Sequence, residues 1–348
     1  MGKYQIGPDR RSRENNMISS FKLRFQSCVI ILLLLAFADT NTAQESVKHL
    51  GKDIYLADPT IFYDAGIYYL YGTVGGSPDN GFLVYTSSDM KSWQGPAGKK
   101  NGYALQKGDV FGSSRFWAPQ VFRYKNKFYM AYAADENISI AESDSPLGPF
   151  TQYKKQALAA PVKQIDPFVF IDADGKKYLY HVRLEKGNRI FVAELTDDFS
   201  EIKKETLKEC ISATEPWENT SNAGWPVTEG PSVLKHNNLY YLVYTANDFR
   251  NPDYAVGYAV SKSPSGPWKK SVNNPVLSKK DVGKNGTGHG DFIKGDKGNL
   301  FYVFHTHFSD TTVAPRKTAI VKAGFIEENT GEDQLVMDKL SFYYPQLE

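Results

Sequence analysis

The feature that most constrains the fold of this chain is a motif that occurs five times. Each copy has a short apolar run, then a turn, then a run rich in tyrosine. The copies are ADPTIFYDAGIYYLYGT (57–73), WAPQVFRYKNKFYMAYAA (117–134), IDPFVFIDADGKKYLYHV (165–182), EGPSVLKHNNLYYLVYTA (229–246) and HGDFIKGDKGNLFYVFHTH (289–307). Such regular self-similarity indicates that one structural unit is repeated along the chain.

The copies align on a proline in the first four units and on an aspartate in the fifth. These anchors are Pro59, Pro119, Pro167, Pro231 and Asp291, separated by 60, 48, 64 and 60 residues. The second runs then align on Tyr69, Tyr129, Tyr178, Tyr241 and Tyr302, which follow their anchors by 10, 10, 11, 10 and 11 residues. Two runs joined by a turn predict a β-hairpin in every unit.

Further short runs follow each of the first four hairpins and complete the unit. They are YTSSDMKSW, AESDSPLGPF, ELTDDFSEI and AVSKSPSGPW. About four strands in each of five units predict an all-β fold, a five-bladed β-propeller over residues 47–348, in which radial packing protects the sheet edges. A β-sandwich would not explain the fixed period, and a solenoid would need more copies. The 22 tyrosines and 21 phenylalanines suit strands.

Residues 1–43 are predicted to be a signal peptide and N-terminal extension. Met17 is the expected start, Lys22 and Arg24 precede the apolar run CVIILLLLAFA (28–38), and cleavage is expected after Ala38 or Ala43. The apolar run is shorter than the roughly 20 residues that span a bilayer. A buried N-terminal helix is the alternative. The protein is therefore expected to be secreted or periplasmic, with no membrane contact after cleavage.

The charge of the remaining chain excludes a typical nucleic-acid-binding protein. Without the first 38 residues, the chain has 35 basic and 37 acidic residues and thus lacks a basic excess. It keeps one cysteine, Cys210, so no internal disulfide is possible. The sequence gives no sign of an organic cofactor or a protein partner.

The residues before each anchor are candidates for chemistry, because the innermost strand of each blade begins near the propeller axis. They are Asp58, Trp117–Ala118, Asp166, Glu229–Gly230 and His289–Gly290. An acid before a proline is often only a turn cap. Three buried carboxyl groups at one axis, however, would repel one another, so their pKa values would separate into those of an ionised base and a protonated acid. Trp117, Phe116, Trp217, Trp225 and Phe249 are candidate sugar platforms.

These motifs resemble those of glycoside hydrolase family 43, five-bladed propellers that cleave arabinose- and xylose-containing polysaccharides. The matching stretches are ADPTI (57–61), QIDPFVF (164–170), EGPSV (229–233) and GTGHGDF (286–292). The resemblance implies that Asp58 is the general base, that Glu229 is the general acid and that Asp166 orients and tunes the acid. It also implies hydrolysis with inversion, in which Asp58 activates a water on the face opposite Glu229.

Further site residues follow from the same resemblance. His289 resembles an axial histidine that lies beside a metal ion, usually calcium, in the propeller channel, and contact through water is expected because calcium prefers oxygen ligands. Arg316, in VAPRKTAIV, resembles an arginine that reaches the sugar or the acids; an exposed basic residue is the alternative. His305 and His307 share one face of the tyrosine-rich strand in the last unit and are assigned to sheet packing, with a metal pair as the alternative.

The predicted activity is that of an exo-acting α-L-arabinofuranosidase on plant-type polysaccharide or oligosaccharide. Only about 40 residues follow the fifth hairpin, too few for a second sandwich domain like that of many family xylosidases. A β-xylosidase, a galactofuranosidase or galactanase, and an endo-arabinanase remain open, as does a non-catalytic carbohydrate-binding propeller.

Overall fold

The two runs of each repeat form long antiparallel strands in the computed structural model, which describes residues 52–75, 78–329 and 331–348. The turn in YDAG shows how the chain reverses, because Ala65 and Gly66 take positive φ angles of 49° and 87°. The signal sequence predicted over residues 1–43 lies outside the described residues. Within the described ranges, no helix is long and apolar enough to cross a membrane.

The secondary structure is almost entirely strand. The first repeat contains β1 (Lys52–Asp53), β2 (Leu56–Asp64), β3 (Ile67–Val74), β4 (Gly81–Leu83), β5 (Tyr85–Ser87), β6 (Ser92–Trp93) and β7 (Tyr103–Gln106). The second contains β8 (Trp117–Tyr124), β9 (Lys127–Ala134) and β10 (Asn137–Ser143). The third contains β11 (Gln164–Ile171), β12 (Lys177–Leu184), β13 (Asn188–Glu194) and β14 (Lys208–Ile211). The fourth contains β15 (Thr228–His236), β16 (Leu239–Ala246), β17 (Ala255–Ser261) and β18 (Lys269–Lys270). The fifth contains β19 (Gly288–Lys294), β20 (Leu300–Thr306), β21 (Lys317–Ile326) and β22 (Gln334–Tyr343), and β23 (Gln346–Leu347) ends the chain. The helical elements are 3₁₀ turns at Lys204–Thr206 and Pro216–Glu218, and α1 (Lys279–Val282).

Each repeat makes its own sheet. The third, fourth and fifth sheets have four strands in chain order, as predicted (β11 to β14, β15 to β18 and β19 to β22). The first two have three strands each (β2-β3-β5 and β8-β9-β10). Their fourth strands are reduced to single bridges, Thr86 with Gln94 and Glu142 with Thr151. The prediction of about four strands in each unit therefore holds for three blades, and these two blades have three strands each.

Apolar cores join each sheet to the next and make the ring of blades continuous. Five clusters lie between consecutive blades, and their representative buried residues are Tyr71 with Met130, Val169 with Ala131, Tyr180 with Leu242, Val243 with Phe304, and Leu70 with Val303. The last cluster joins the fifth blade to the first. This closed order confirms the predicted five-bladed β-propeller.

Strand β23, near residue 348, pairs with strands of the first repeat. Strand β23 lies between β1, with which it pairs antiparallel, and β6, with which it pairs parallel. Gln346 pairs with both Asp53 and Ser92. The two ends of the described chain therefore share one small sheet with the first repeat, which ties the fifth blade to its neighbour.

A bulge at the start of every innermost strand places one residue in the left-handed region. These residues are Asp58, Ala118, Asp166, Gly230 and His289, with φ angles of 49°, 46°, 54°, 59° and 45°. In each blade the register shifts across this residue and the one after it. Such angles are unfavourable for residues other than glycine and persist where surrounding contacts fix them. The bulge therefore sets five equivalent positions around the axis.

The structure corrects the alignment of the fifth unit by one residue. In the first blade the bulge ends at Pro59, directly before Thr60. In the fifth blade the bulge ends at Gly290, directly before Asp291, so Gly290 corresponds to the prolines of the other units. Phe301, and not Tyr302, then corresponds to the aligned tyrosines. Glu229 is also displaced, since it precedes the left-handed residue of its blade by one position.

Side chains of one blade accept hydrogen bonds from these left-handed residues in the next blade. The Thr73 hydroxyl accepts from Ala118 N at 2.9 Å, and the Thr245 hydroxyl accepts from His289 N at 2.8 Å. His305 Nδ1 accepts from Asp58 N at 3.1 Å. These bonds satisfy buried amide groups that the bulge removes from the strand ladder, and they couple neighbouring blades at the axis.

Replacing Thr245 by valine tests this coupling. The Thr245→Val variant keeps the side-chain shape but leaves the buried His289 N–H without its acceptor, so the free energy of unfolding should fall by about 1–3 kcal/mol. Thr245→Ser keeps the hydroxyl and should lose about 1 kcal/mol or less, the value of one methyl group. Urea unfolding measures both variants. A valine variant as stable as the serine variant would show that this hydrogen bond contributes nothing.

Candidate active site

Asp58 lies buried at the axis beside a guanidinium, a hydroxyl and two imidazole rings. Arg316 Nη1 donates to Oδ1 at 2.9 Å, and the Thr73 hydroxyl donates to Oδ2 at 2.7 Å. His289 Nδ1 and His305 Nδ1 lie 3.3 and 3.4 Å from Oδ1. Burial alone would raise the pKa of Asp58, but the Arg316 charge, the two imidazoles and the Thr73 hydroxyl together hold it well below its ordinary value. Asp58 is therefore ionised at neutral pH.

Glu229 is equally buried but lacks a cationic partner among its hydrogen bonds. The Tyr254 hydroxyl donates to Oε1 at 2.8 Å, and Asn188 Nδ2 donates to Oε2 at 3.0 Å. Burial raises the pKa of Glu229 to about 7; the charge of Asp58 adds to this rise, and the two hydrogen bonds oppose it. Glu229 therefore holds a proton at slightly acidic pH and can release it near neutrality.

Asp166 lies close enough to the other two acids for their charges to act on it. Its Oδ2 accepts a hydrogen bond from Gly230 N at 3.2 Å and lies 3.9 Å from His289 Nδ1. Burial, followed by the negative charges of Glu229 and Asp58, raises the pKa of Asp166 well above its usual range. The Gly230 contact also anchors Asp166 to the residue that follows Glu229, which fixes the two acids relative to each other.

The three carboxyl groups thus divide the roles that acid–base hydrolysis requires. An ionised Asp58 can accept a proton from water, and a protonated Glu229 can donate one to a leaving oxygen. A narrow cavity on the axis is lined by Asp58, Asp166, His289 and residues that flank them in the five innermost strands. The structure brings Asp58, Asp166 and His289 together, and links Glu229 to them through Gly230.

Arg316 connects the axis to the loop after β16. While its Nη1 contacts Asp58, its guanidinium lies 4.6 Å from the centre of the Phe249 ring. The Phe249 carbonyl accepts from His307 Nε2 at 2.8 Å. The alternative of an exposed basic residue is excluded for Arg316, which is mostly buried. His305 Nδ1 accepts a hydrogen bond from Asp58 N, and His307 Nε2 donates to the Phe249 carbonyl, so both imidazoles pack into the site.

The aromatic candidates fall into two groups. Trp117 is half-buried, Phe249 is half-buried beside Arg316, and Trp225 is half-exposed, so each presents ring surface. Phe116 is fully buried in the core between the first two blades, where its ring stacks on Tyr132. The prediction that Phe116 contacts a sugar is therefore wrong, because its side chain has no accessible surface.

Sequence reasoning missed several residues that contact the acids. Thr73, Asn188 and Tyr254 each donate a hydrogen bond to Asp58 or Glu229. Thr73 is the last residue of the first copy of the motif. Threonine is common in strands, so its presence there does not indicate a role in the site. Tyr254 ends a loop whose shape the sequence does not reveal. For His305 the sequence does contain a signal, because it shares one face of the fifth unit's tyrosine-rich strand with His307. That pattern alone indicates sheet packing.

The predicted calcium ion has limited support from the side chains present. Calcium takes six to eight oxygen ligands, and the described residues contain no group of three or more His, Cys, Asp or Glu side chains arranged around a metal. Asp58 is engaged by Arg316 and Thr73. A calcium ion held by three or more carboxylate or imidazole side chains does not fit the described residues. Calcium held near His289 through water stays a prediction, and no step below depends on it.

Comparisons with known proteins agree with this geometry. A family model described as "Glycosyl hydrolases family 43" matches residues 53–330. A solved structure named as an endo-1,4-β-xylanase from Bacteroides thetaiotaomicron is 39% identical, with a TM-score of 0.77, and the match covers 85% of this chain and 98% of that one. A thermostable family-43 glycoside hydrolase is 34% identical, with a TM-score of 0.73, over 84% of this chain and 95% of that one.

Curated relatives that match this chain have lower sequence identities. A β-D-galactofuranosidase of Aspergillus niger is 24% identical over 85% of this chain and 86% of its own length. An arabinoxylan arabinofuranohydrolase of Bacillus subtilis is 29% identical over 69% of this chain and 56% of its own length. The chain therefore spans little more than half of the Bacillus subtilis relative.

The pKa values of Asp58 and Glu229 predict the pH dependence of kcat/KM for glycoside hydrolysis. The alkaline limb should fall near pH 7, where Glu229 loses its proton, and the acidic limb should lie well below pH 4, where Asp58 gains one. Arg316→Met removes the charge that lowers the pKa of Asp58, so its acidic limb should move to higher pH.

The control for this experiment is Arg123→Met. Arg123 is exposed and pairs with Asp64 at 2.9 Å on the turn side of the first blade, so the acidic limb of this variant should match that of the wild type. An Arg316→Met variant with an unchanged acidic limb would contradict the assignment of Asp58 as an ionised base stabilised by Arg316.

Proposed function

The chain belongs to glycosyl hydrolase family 43, and from that premise we propose that it removes terminal α-L-arabinofuranose from arabinoxylan-type polysaccharide or its oligosaccharides. The observation that carries the proposal is the division of charge at the axis. Asp58 is held ionised by Arg316, while burial keeps a proton on Glu229 near neutral pH. The enzyme is an inverting glycoside hydrolase, as its family is, and this pair supplies the base and acid that inversion requires.

In the proposed reaction, Glu229 protonates the glycosidic oxygen as the bond to the anomeric carbon breaks. Asp58 takes a proton from the water that attacks the opposite face of the sugar ring. The Arg316 guanidinium keeps Asp58 ionised before the reaction and lies close enough to hold the sugar at the same time. Asp166 stays protonated beside Glu229 and fixes its position through Gly230.

Support for the substrate class comes from the names of related proteins. The Aspergillus niger and Bacillus subtilis relatives are named for galactofuranose and arabinofuranose, both five-membered sugar rings. The Bacteroides thetaiotaomicron structure is named for xylan. Arabinoxylan contains both a xylan chain and a furanose sugar, because it is a xylan that carries arabinofuranose. Export through the predicted signal sequence would give the enzyme access to such a polymer.

Cleavage of xylosidic bonds is the second candidate. It is favoured by the 39% identity to the structure named as a xylanase, which exceeds the identity to the two relatives named for furanosides. A β-galactofuranosidase or an endo-arabinanase would use the same acid and base. A non-catalytic carbohydrate-binding propeller is disfavoured, because binding alone does not require an ionised and a protonated acid at one site.

A panel of 4-nitrophenyl glycosides tests the substrate. We expect the highest kcat/KM on the α-L-arabinofuranoside, with lower values on the β-D-xylopyranoside and β-D-galactofuranoside. Arabinoxylan and linear xylan should be compared in parallel, and proton NMR of the first product should show the inverted anomer. Preferred release of xylose from linear xylan would contradict the arabinofuranosidase assignment and favour the second candidate.

Substitution of the acid and the base tests their roles. Glu229→Gln and Asp58→Asn should each reduce kcat on arabinoxylan by about 10²–10⁴-fold, the usual contribution of a general acid or base. Circular dichroism should show an unchanged fold. Activity within a few-fold of the wild type in either variant would show that the substituted residue does not have the assigned role.

A further inference from the structure

Trp225 is connected to Glu229 through a single amide group. The Trp225 indole N–H donates to Asn188 Oδ1 at 2.8 Å, and Asn188 Nδ2 donates to Glu229 Oε2 at 3.0 Å. We propose that Trp225 is a positioning residue that fixes the orientation of the Asn188 amide, so that the proton of Glu229 can only be given to the substrate. This inference rests on the proposed role of Glu229 as general acid.

The donor chemistry of the indole decides which way the amide faces. An indole can donate a hydrogen bond but cannot accept one in the ring plane, whereas an amide has a donor end and an acceptor end. Trp225 therefore requires the oxygen of Asn188, which leaves the NH₂ group to face Glu229. Without the indole N–H, the amide is free to rotate and to present its oxygen to the protonated carboxyl.

This orientation matters because both oxygens of Glu229 are already acceptors. Oε1 accepts from the Tyr254 hydroxyl at 2.8 Å, and Oε2 accepts from Asn188. A proton carried by Glu229 therefore finds no acceptor in the NH₂ group of Asn188, and while the Tyr254 hydroxyl donates to Oε1 the proton is directed toward the glycosidic oxygen. A rotated Asn188 amide would accept that proton in a hydrogen bond, which would stabilise the acid form and slow its transfer.

The main chain around Asn188 is fixed independently of the indole. Asn188 N donates to the Pro226 carbonyl at 2.9 Å, and the Thr228 hydroxyl donates to the Asn188 carbonyl at 3.1 Å. These bonds hold the start of β13 against residues 226–228. Loss of the indole N–H alone should therefore change the orientation of the side-chain amide without moving the strand.

The exposed ring of Trp225 gives this residue a second role in the proposal. Since Glu229 protonates the glycosidic oxygen, the departing sugar of the polymer lies on the Glu229 side of the cleaved bond. Trp225 is 50% exposed and is one amide group away from that acid. Its ring face can pack on the departing sugar, so the same side chain would bind the leaving group and orient the acid.

The test separates the N–H of Trp225 from its ring. Trp225→Phe keeps an aromatic ring but removes the donor, so kcat on arabino-oligosaccharides should fall about tenfold with little change in KM. Trp225→Ala should in addition raise KM. With a dinitrophenyl glycoside, whose leaving group needs no proton, Trp225→Phe should stay within twofold of the wild type. Tyr153→Phe, at a fully exposed aromatic outside the site, is the matched control and should leave all values unchanged.

Two further readouts distinguish positioning from a general structural effect. Loss of the Asn188 donor should raise the pKa of Glu229, so the alkaline limb of kcat/KM should move to higher pH in both Trp225→Phe and Asn188→Ala. In the Asn188→Ala background, Trp225→Phe should cause no further loss of kcat, because the two residues act in one chain.

The inference is overturned if Trp225→Phe loses activity equally on both leaving groups, or if its effect is additive with that of Asn188→Ala. A Trp225→Phe variant at full rate, with Glu229→Gln inactive, overturns this inference alone. A Glu229→Gln variant that keeps its activity overturns the proposed function as well.

Discussion

The contact between the Arg316 guanidinium and the Asp58 carboxylate is the interaction on which the site depends. Three carboxyl groups lie buried near one axis, and among the described residues that contact Asp58, Arg316 supplies the positive charge. Burial of several negative charges without partners is unfavourable. One acid therefore ionises beside the arginine, and burial together with repulsion keeps protons on Asp166 and Glu229. Asp58 can act as a base and Glu229 as an acid because Asp58 contacts a guanidinium, whereas the hydrogen-bond donors to Glu229 are neutral.

The propeller fold makes that arrangement possible because it brings distant residues to equivalent positions. Asp58 and Arg316 are 258 residues apart in sequence, and no local structure would join them. The bulge of each innermost strand directs one residue into the left-handed region, and hydrogen bonds from neighbouring blades hold it there. The apolar cores between blades keep these five positions fixed. Rigidity of the ring is thus what allows three buried acids to stay close together.

The sequence predicted the ring of five units and the three acids near its axis, and the failures of the prediction have physical causes. The fifth unit has no proline to mark its anchor, so the alignment predicts Asp291, whereas the bulge places Gly290 there. Phe116 was taken as a sugar platform, but burial is set by packing on Tyr132, which sequence does not show. Asn188 and Tyr254 were missed because their roles depend on contacts between segments far apart in the chain.

Carbon-13 NMR of the side-chain carboxyl groups tests the central claim most directly. The wild-type enzyme, labelled at Asp and Glu carboxyl carbons, should show one glutamate that titrates near pH 7 and disappears in Glu229→Gln, and one aspartate that stays ionised well below pH 4 and disappears in Asp58→Asn. A Glu229 carboxyl that titrates below pH 5, or an Asp58 carboxyl that gains its proton at or above pH 5, would contradict the account.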